Sequence, residues 1–196
     1  MVVQLKFWPQ KLWKKIVLLL VLIIIVAFVA FAAFAGLLMS GLLSREVVSE
    51  ISVLNDGGSK TALVVYQPGF SSFPKDASYA FAEGLALSDW RVEITTASPK
   101  APVDLSKYTL LTLAYPVYGG TAGTAIVNYI NRIGDLGGIN TLILACGGGD
   151  TGETLQLPLS PLVLSANGTI YNELSLSNQD SSALDVARQT GIDIQP

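Results

Sequence analysis

Residues 108–123 read Tyr108-Thr-Leu-Leu-Thr-Leu-Ala-Tyr-Pro-Val-Tyr-Gly-Gly-Thr-Ala-Gly123, an apolar run that ends in a turn rich in proline and glycine. The part from Tyr108 to Ala114 has the length and composition of a strand that is buried on both faces. Such strands belong to parallel sheets that helices cover on each side. The loop 115–123 then lies at the carboxyl end of a strand, where open parallel sheets bind their ligands.

Strand-like and helix-like segments alternate around this run. Further strands are predicted at 61–66, 90–96, 141–146 and 169–176. Helices are predicted at 75–87, which Pro74 is well placed to open, and at 124–133, both with apolar residues at helical spacing. The pattern predicts an α/β domain with a five-stranded parallel sheet.

The last third of the chain gives a weaker pattern. Pro158 and Pro161 interrupt residues 153–165, so any helix there is expected to be short or broken. A final helix is predicted from Ser181 to Thr190, with Ser181 as its cap and Gly191 as its stop.

Three loops at the predicted carboxyl edge of the sheet have an unusual composition. They are Gln67-Pro-Gly-Phe-Ser-Ser-Phe-Pro-Lys75, the loop 115–123 and Gly147-Gly-Gly-Asp-Thr-Gly152. Glycines let the backbone approach a ligand closely, and the first loop leads into a helix N-terminus, which favours anions. These loops are the candidate binding site.

The Tyr115-Pro-Val-Tyr-Gly-Gly120 element resembles the Pro-x-Tyr-Gly-Gly element that follows the third strand in many flavodoxin-like proteins. The resemblance covers about residues 60–195. It implies a flavodoxin-like three-layer sandwich with strand order 2-1-3-4-5 and a site for flavin mononucleotide (FMN). In such a site Pro116 and Tyr118 would contact the flavin, with Tyr118 stacking on its ring. Gly119 and Gly120 would face its redox-active edge, and Gly147, Gly148 and Gly149 would close over its other side.

The phosphate-binding loop departs from the family pattern, which has a run like Ser/Thr-x-Thr-Gly-x-Thr. Pro74 stands where the last threonine is expected. Ser71 and Ser72 remain as hydroxyl donors, with Gly69 for the turn and Lys75 for charge. Each of these residues also has a purely structural explanation as a turn, cap or packing residue.

Residues 16–39 form 24 consecutive uncharged, mostly apolar residues, long enough to cross a bilayer as a helix. Trp8 and Trp13 precede them among four lysines, as at a membrane interface. The alternative, a cleaved secretory signal, fits Ala33-Phe-Ala35 but not the length of the run. The lysine bias predicts a cytoplasmic N-terminus and an extracytoplasmic C-terminal domain.

Charge and composition exclude several function classes. Four of the 12 basic residues precede the apolar run, so the rest of the chain carries eight against 15 acids, a net charge of −7. A basic nucleic-acid footprint is therefore absent. With no histidine, His-dependent catalysis and His-ligated metals are excluded. Cys146 ends an apolar strand and is predicted to be a packed thiol.

We therefore predict a basic cytoplasmic N-terminus at 1–15, a transmembrane helix at 16–43, a stalk or linker at 44–59 and a flavodoxin-like domain at 60–196. The expected function is FMN-dependent electron transfer at the cell membrane. The lipid bilayer and a membrane redox partner are the expected partners. The alternatives are a flavin-free module that binds a ligand or partner, and a quinone or porphyrinogen oxidoreductase of the same fold. No catalytic residue or metal site is predicted.

Overall fold

The computed structural model describes residues 10–43, 46–118, 120–147 and 159–195. The chain divides into two compact units, one before and one after the boundary between Leu42 and Leu43. The described residues of the first unit form one helix, α1 (Gln10–Leu43), whose last residue lies just beyond the boundary. Its segment Trp13–Leu37 is long and apolar enough to cross a membrane, by length and composition. None of the described side chains in that segment is buried.

The second unit is built on one mixed sheet. Five of its strands are parallel: β2 (Lys60–Tyr66), β3 (Trp90–Thr96), β4 (Leu110–Tyr118), β6 (Asn140–Gly147) and β7 (Thr169–Ser177). They lie side by side in the order β3-β2-β4-β6-β7. Counted among themselves this is 2-1-3-4-5, so the predicted order is confirmed.

Helices cover both faces of this sheet. The helices are α2 (Phe73–Leu87), α3 (Thr124–Ile133), α4 (Ser160–Ser165) and α5 (Ala183–Asp193). One apolar cluster joins the sheet to α2 and α5, and a second joins its other face to α3 and α4. Because both faces are covered, residues 110–116 of β4 are buried without interruption.

The sheet also has two short antiparallel strands. At one edge β1 (Ser52–Leu54) pairs with β3, placing Val53 opposite Glu93. Beyond the end of β4, β5 (Thr121–Ala122) folds back on Val117 and Tyr118. The predicted loop 115–123 is therefore partly a hairpin, because β4 continues through Pro116 to Tyr118.

Part of the segment predicted as a stalk is docked on the domain. Residues 44–45 lie outside the described residues. The backbone N–H and the hydroxyl of Thr96 both bond to Ser49: the Ser49 N–H donates to Thr96 Oγ1 at 3.0 Å, and the Thr96 N–H donates to Ser49 Oγ at 3.1 Å. Glu46 accepts hydrogen bonds from Arg132 at 2.9 Å and from Asn128 at 3.2 Å. A free linker over 44–59 is therefore wrong for the described part of that range.

The last helix differs from its prediction at both ends. It begins at Ala183, with Ser182 rather than Ser181 at the cap position, and it continues through Gly191 to Asp193. Gly191 is not a stop, because it packs against α2. A Cβ there would lie 2.8 Å from the Leu85 backbone nitrogen and 3.1 Å from the Gly84 carbonyl carbon. Residues 153–165, where a short or broken helix is predicted, contain the short helix α4, as expected. Residues 153–158 of this segment lie outside the described residues.

Candidate functional site

A cavity of about 320 Å³ opens at the carboxyl edge of the sheet. It lies where β2, β4, β6 and β7 end, so segments far apart in sequence meet there. Its described lining residues are Phe70, Ser71, Phe73, Pro74, Pro116, Val117, Tyr118, Cys146, Gly147 and Asn178. The lining is mostly apolar and aromatic with a few polar groups, which is typical of small-molecule sites.

Tyr118 connects the loop after β2 with the end of β4. Its hydroxyl oxygen accepts a hydrogen bond from the Phe70 backbone N–H at 2.7 Å. The Tyr118 and Phe70 rings lie 4.9 Å apart between centroids, at 53°. Gly69 permits this contact, since a Cβ there would lie 2.8 Å from the Tyr118 hydroxyl and 3.0 Å from Pro74 Cγ. The predicted residues Gly69 and Tyr118 are thus in direct proximity.

The N-terminus of α2 forms the polar end of the cavity. Ser72 is the N-cap residue but makes no side-chain cap hydrogen bond. The first backbone N–H groups of a helix have no partner within it, and Pro74 supplies none at its own position. Lys75 is exposed, and its ammonium group lies 5.7 Å from the centroid of the Tyr79 ring. Asp76 adds a negative charge to the same first turn.

The wall of the cavity comes from β4 and β6. Pro116 lies next to Cys146 in the parallel register of these strands. Burial raises the pKa of the Cys146 thiol to about 12, and its side chain is 3% exposed. The thiol is therefore protonated and packed at neutral pH, and the prediction for Cys146 is confirmed. Gly147 follows and accepts a backbone hydrogen bond from Asn178 at 3.0 Å.

A second helix N-terminus near the site is closed by a side chain. Gln67, which is 2% exposed at the end of β2, accepts a hydrogen bond from the Ile126 N–H in the first turn of α3 at 3.1 Å. Gly123, the N-cap residue of α3, leaves room for it, because a Cβ there would collide with the Gln67 amide. Gln67 therefore satisfies a donor of α3 that would otherwise be open to an anion.

The structure brings several of the predicted site residues together. Ser71, Pro116, Tyr118 and Gly147 line the cavity, and Gly69 contacts Tyr118. Ser72 and Lys75 are not among the described lining residues. Gly120 has φ +76°, a conformation that favours glycine. Predicted residues outside the described ranges are Gly119, Gly148 and Gly149. Their roles in binding stay predictions.

Six lining residues were not predicted as site residues, among them Pro74 and Cys146, which the sequence assigned to a helix start and to a packed strand end. Phe70 and Phe73 lie within the predicted loop 67–75, in which only the glycine, the two serines and the lysine were predicted to bind. Val117 lies between two predicted contacts. Asn178 follows β7, and its place in the site could have been predicted because the carboxyl ends of all parallel strands meet at one edge of the sheet. In the described part of the chain, no group of three or more His, Cys, Asp or Glu side chains is placed to hold a metal ion.

Comparisons with known proteins identify the fold. No protein-family model and no curated protein sequence matches this chain. A flavodoxin from the domain Archaea matches with TM-score 0.55 and 13% identity, over 68% of this chain and 95% of the flavodoxin. The two-electron reduced flavodoxin of Megasphaera elsdenii gives TM-score 0.55 and 11% identity, over 68% and 99%.

An NAD(P)H:quinone oxidoreductase from Methanothermobacter marburgensis also matches, with TM-score 0.52 and 15% identity, over 69% of this chain and 99% of that protein. At such low identity these similarities establish the fold alone. The domain has the flavodoxin-like α/β fold, as its sequence resemblance implied.

Proposed function

We propose that this chain binds FMN non-covalently in the cavity at the carboxyl edge of the sheet and serves in electron transfer at a membrane. The observation that carries the proposal is the placement of Tyr118, Pro116 and Ser71 around one cavity beside the N-terminus of a 15-residue helix. The flavodoxin-like fold supports it, because that fold places its ligand at this edge.

The residues present fit a flavin. The Tyr118 ring offers an aromatic face, and Pro116, Val117 and Cys146 offer an apolar wall for a planar ring system. Ser71 and the first N–H groups of α2 offer donors for a phosphate. At about 320 Å³ the cavity is at the lower end of the range for small-molecule sites.

Electron transfer is favoured over proton-transfer chemistry by the described lining. Its ionisable groups are Tyr118 and Cys146, and the thiol is protonated at neutral pH. No described carboxylate or amine lines the cavity to act as an acid or base. The redox chemistry would belong to the bound flavin, and the protein would bind, orient and shield it.

We further propose that α1 anchors the domain in the cell membrane, with the N-terminus in the cytoplasm. Its length and apolar composition support a span, and the lysines before it support this orientation. The full chain should then resist alkaline extraction and require detergent. Protease added to spheroplasts should degrade the domain, whereas cleavage only after lysis would reverse the assigned orientation.

The decisive experiment for the flavin is a fluorescence titration of the detergent-solubilised full chain with FMN and riboflavin. Saturable binding is expected. Tyr118→Ala should bind riboflavin about 1–3 kcal/mol more weakly than Tyr118→Phe, because that is the free energy of stacking one aromatic side chain on a nucleic-acid base. Tyr171→Ala, at an exposed site on β7, is the matched control. If the unmutated chain shows no saturable binding up to about tens of micromolar flavin, which corresponds to a binding free energy near 6–7 kcal/mol, the flavin proposal is refuted.

A flavin-free binding module is the second candidate. It is favoured by the contact between the Phe70 and Tyr118 rings, which occupies part of the aromatic face. It is also favoured by Asp76, whose charge opposes an anion at the start of α2. The same titration separates the two candidates, because this one predicts no response to either flavin by the unmutated chain or its variants.

A further inference from the structure

The Phe70 backbone N–H has an internal partner at the mouth of the cavity. It donates to the Tyr118 hydroxyl at 2.7 Å, and it lies in the loop directly before α2. Backbone N–H groups in such a loop are the donors that a phosphate or another anion takes. The tyrosine oxygen therefore occupies a donor that a ligand oxygen would need.

Burial does not require this hydrogen bond. The Phe70 side chain is 53% exposed, and the hydrogen bond itself lies in an exposed environment, so water would otherwise satisfy the N–H. The arrangement is nevertheless held by two further features. The rings of Phe70 and Tyr118 lie at an attractive centroid distance of 4.9 Å, and Gly69 has no Cβ to push the hydroxyl away.

We propose that the Tyr118 hydroxyl and the Phe70 N–H form a latch that competes with the phosphate of the ligand for this loop. The inference rests on the proposed function, and it adds a specificity-determining contact to the same site. With the latch closed, a ligand phosphate gains one hydrogen bond fewer, while the part of the Tyr118 ring face that Phe70 leaves uncovered stays available. The latch therefore lowers the preference of the site for FMN over riboflavin.

The competition gives an unusual expectation for a conservative variant. Tyr118→Phe keeps the ring and removes the competing oxygen, so it should bind FMN more tightly than the unmutated chain does. The gain should be about two- to tenfold, the span of one net hydrogen bond. Riboflavin has no phosphate and should gain less. If the hydroxyl instead contacts the ligand favourably, Tyr118→Phe will bind FMN more weakly.

The latch itself can be measured without flavin. In the ligand-free full chain in detergent, the Phe70 N–H should exchange with solvent faster in Tyr118→Phe. Gly69→Ala should do the same while keeping the hydroxyl, because its Cβ would displace the Tyr118 oxygen. Tyr171→Phe is the control, since this exposed tyrosine lies in the first half of β7, distant from the carboxyl edge.

The outcomes separate this inference from the proposed function. A higher FMN-to-riboflavin preference in Tyr118→Phe, together with faster Phe70 exchange, supports the latch. Flavin binding by the unmutated chain with an unchanged or lower preference in Tyr118→Phe overturns the latch alone. No flavin binding by the unmutated chain overturns the proposed function and the role of the latch in it.

Discussion

Replacing Thr96 with valine should loosen the docked segment around Ser49. Thr96 Oγ1 accepts a hydrogen bond from the Ser49 N–H at 3.0 Å and donates one to the Val47 carbonyl oxygen at 2.5 Å. Thr96 is 1% exposed at the end of β3, and valine has nearly its shape and suits a strand. The substitution removes these two hydrogen bonds and a longer one to the Ser49 hydroxyl at 3.2 Å with little change in packing, while the Thr96 N–H keeps its bond to Ser49 Oγ.

The size of the effect follows from those two contacts. A net hydrogen bond contributes about 0.5–1.5 kcal/mol, so losing both costs about 1–3 kcal/mol. The freed groups lie on Val47, which is exposed, and on Ser49, which is half-buried, so water can reach them and the lower half of that range applies. A loss of about 1–2 kcal/mol raises the local opening equilibrium about 5- to 30-fold. The pairing of β1 with β3 remains, so the opening stays local.

Amide hydrogen exchange of the full chain in detergent measures this directly. The Ser49 N–H should exchange about 5- to 30-fold faster in Thr96→Val, while core strand amides keep their protection. Thr109→Val is the matched control, because the Thr109 hydroxyl is exposed and bonds the Thr61 carbonyl at only 3.4 Å. Unchanged Ser49 exchange in Thr96→Val would refute the docked segment.

Three further results are expected. Gly191→Ala should destabilise the domain by about 1–3 kcal/mol in chemical denaturation through overpacking against α2, whereas Gly57→Ala, with open space around its Cβ position, should not clash. Burial by itself would raise the pKa of Glu93, but hydrogen bonds from its tyrosine and lysine partners hold it below its ordinary value. Because the folded pKa is depressed, stability is fully present above the ordinary value near 4.5 and falls as pH drops through the folded pKa, and Glu93→Gln should flatten that dependence. Asp76→Asn should tighten FMN binding and leave riboflavin binding unchanged, as two parallel titrations would show.

Most of the fold was predictable because buried strands appear as short apolar runs and helices as apolar residues at helical spacing, and both patterns lie within short stretches of sequence. Residues 90–96 and 124–133 have the predicted boundaries. Gly191 was misread because a glycine in a close helix–helix contact and a glycine at a helix stop look alike in sequence. The docked segment was misread because its partners, such as Thr96, lie about fifty residues away.

The site was predictable as a location and less so as a set of contacts. The topology rule brought Tyr118 and Ser71 to one edge of the sheet, and both line the cavity. The hydrogen bond between Tyr118 and Phe70 depends on the distance between two loops, which composition does not encode. The capping of α3 by Gln67 has the same origin, because the two residues that bond are 59 positions apart.

Charge at the site limits how strongly it can hold a phosphate. Lys75 and Asp76 adjoin at the start of α2, so their formal charges cancel at a distance. The helix dipole and the N–H donors remain, and an anion at a helix N-terminus gains about 0.3–1 kcal/mol from the dipole at an exposed site. Stacking on Tyr118 contributes about 1–3 kcal/mol by comparison. Stacking on the Tyr118 ring would therefore exceed the dipole's contribution to a flavin bound as proposed, and each N–H donated to its phosphate would add about 0.5–1.5 kcal/mol.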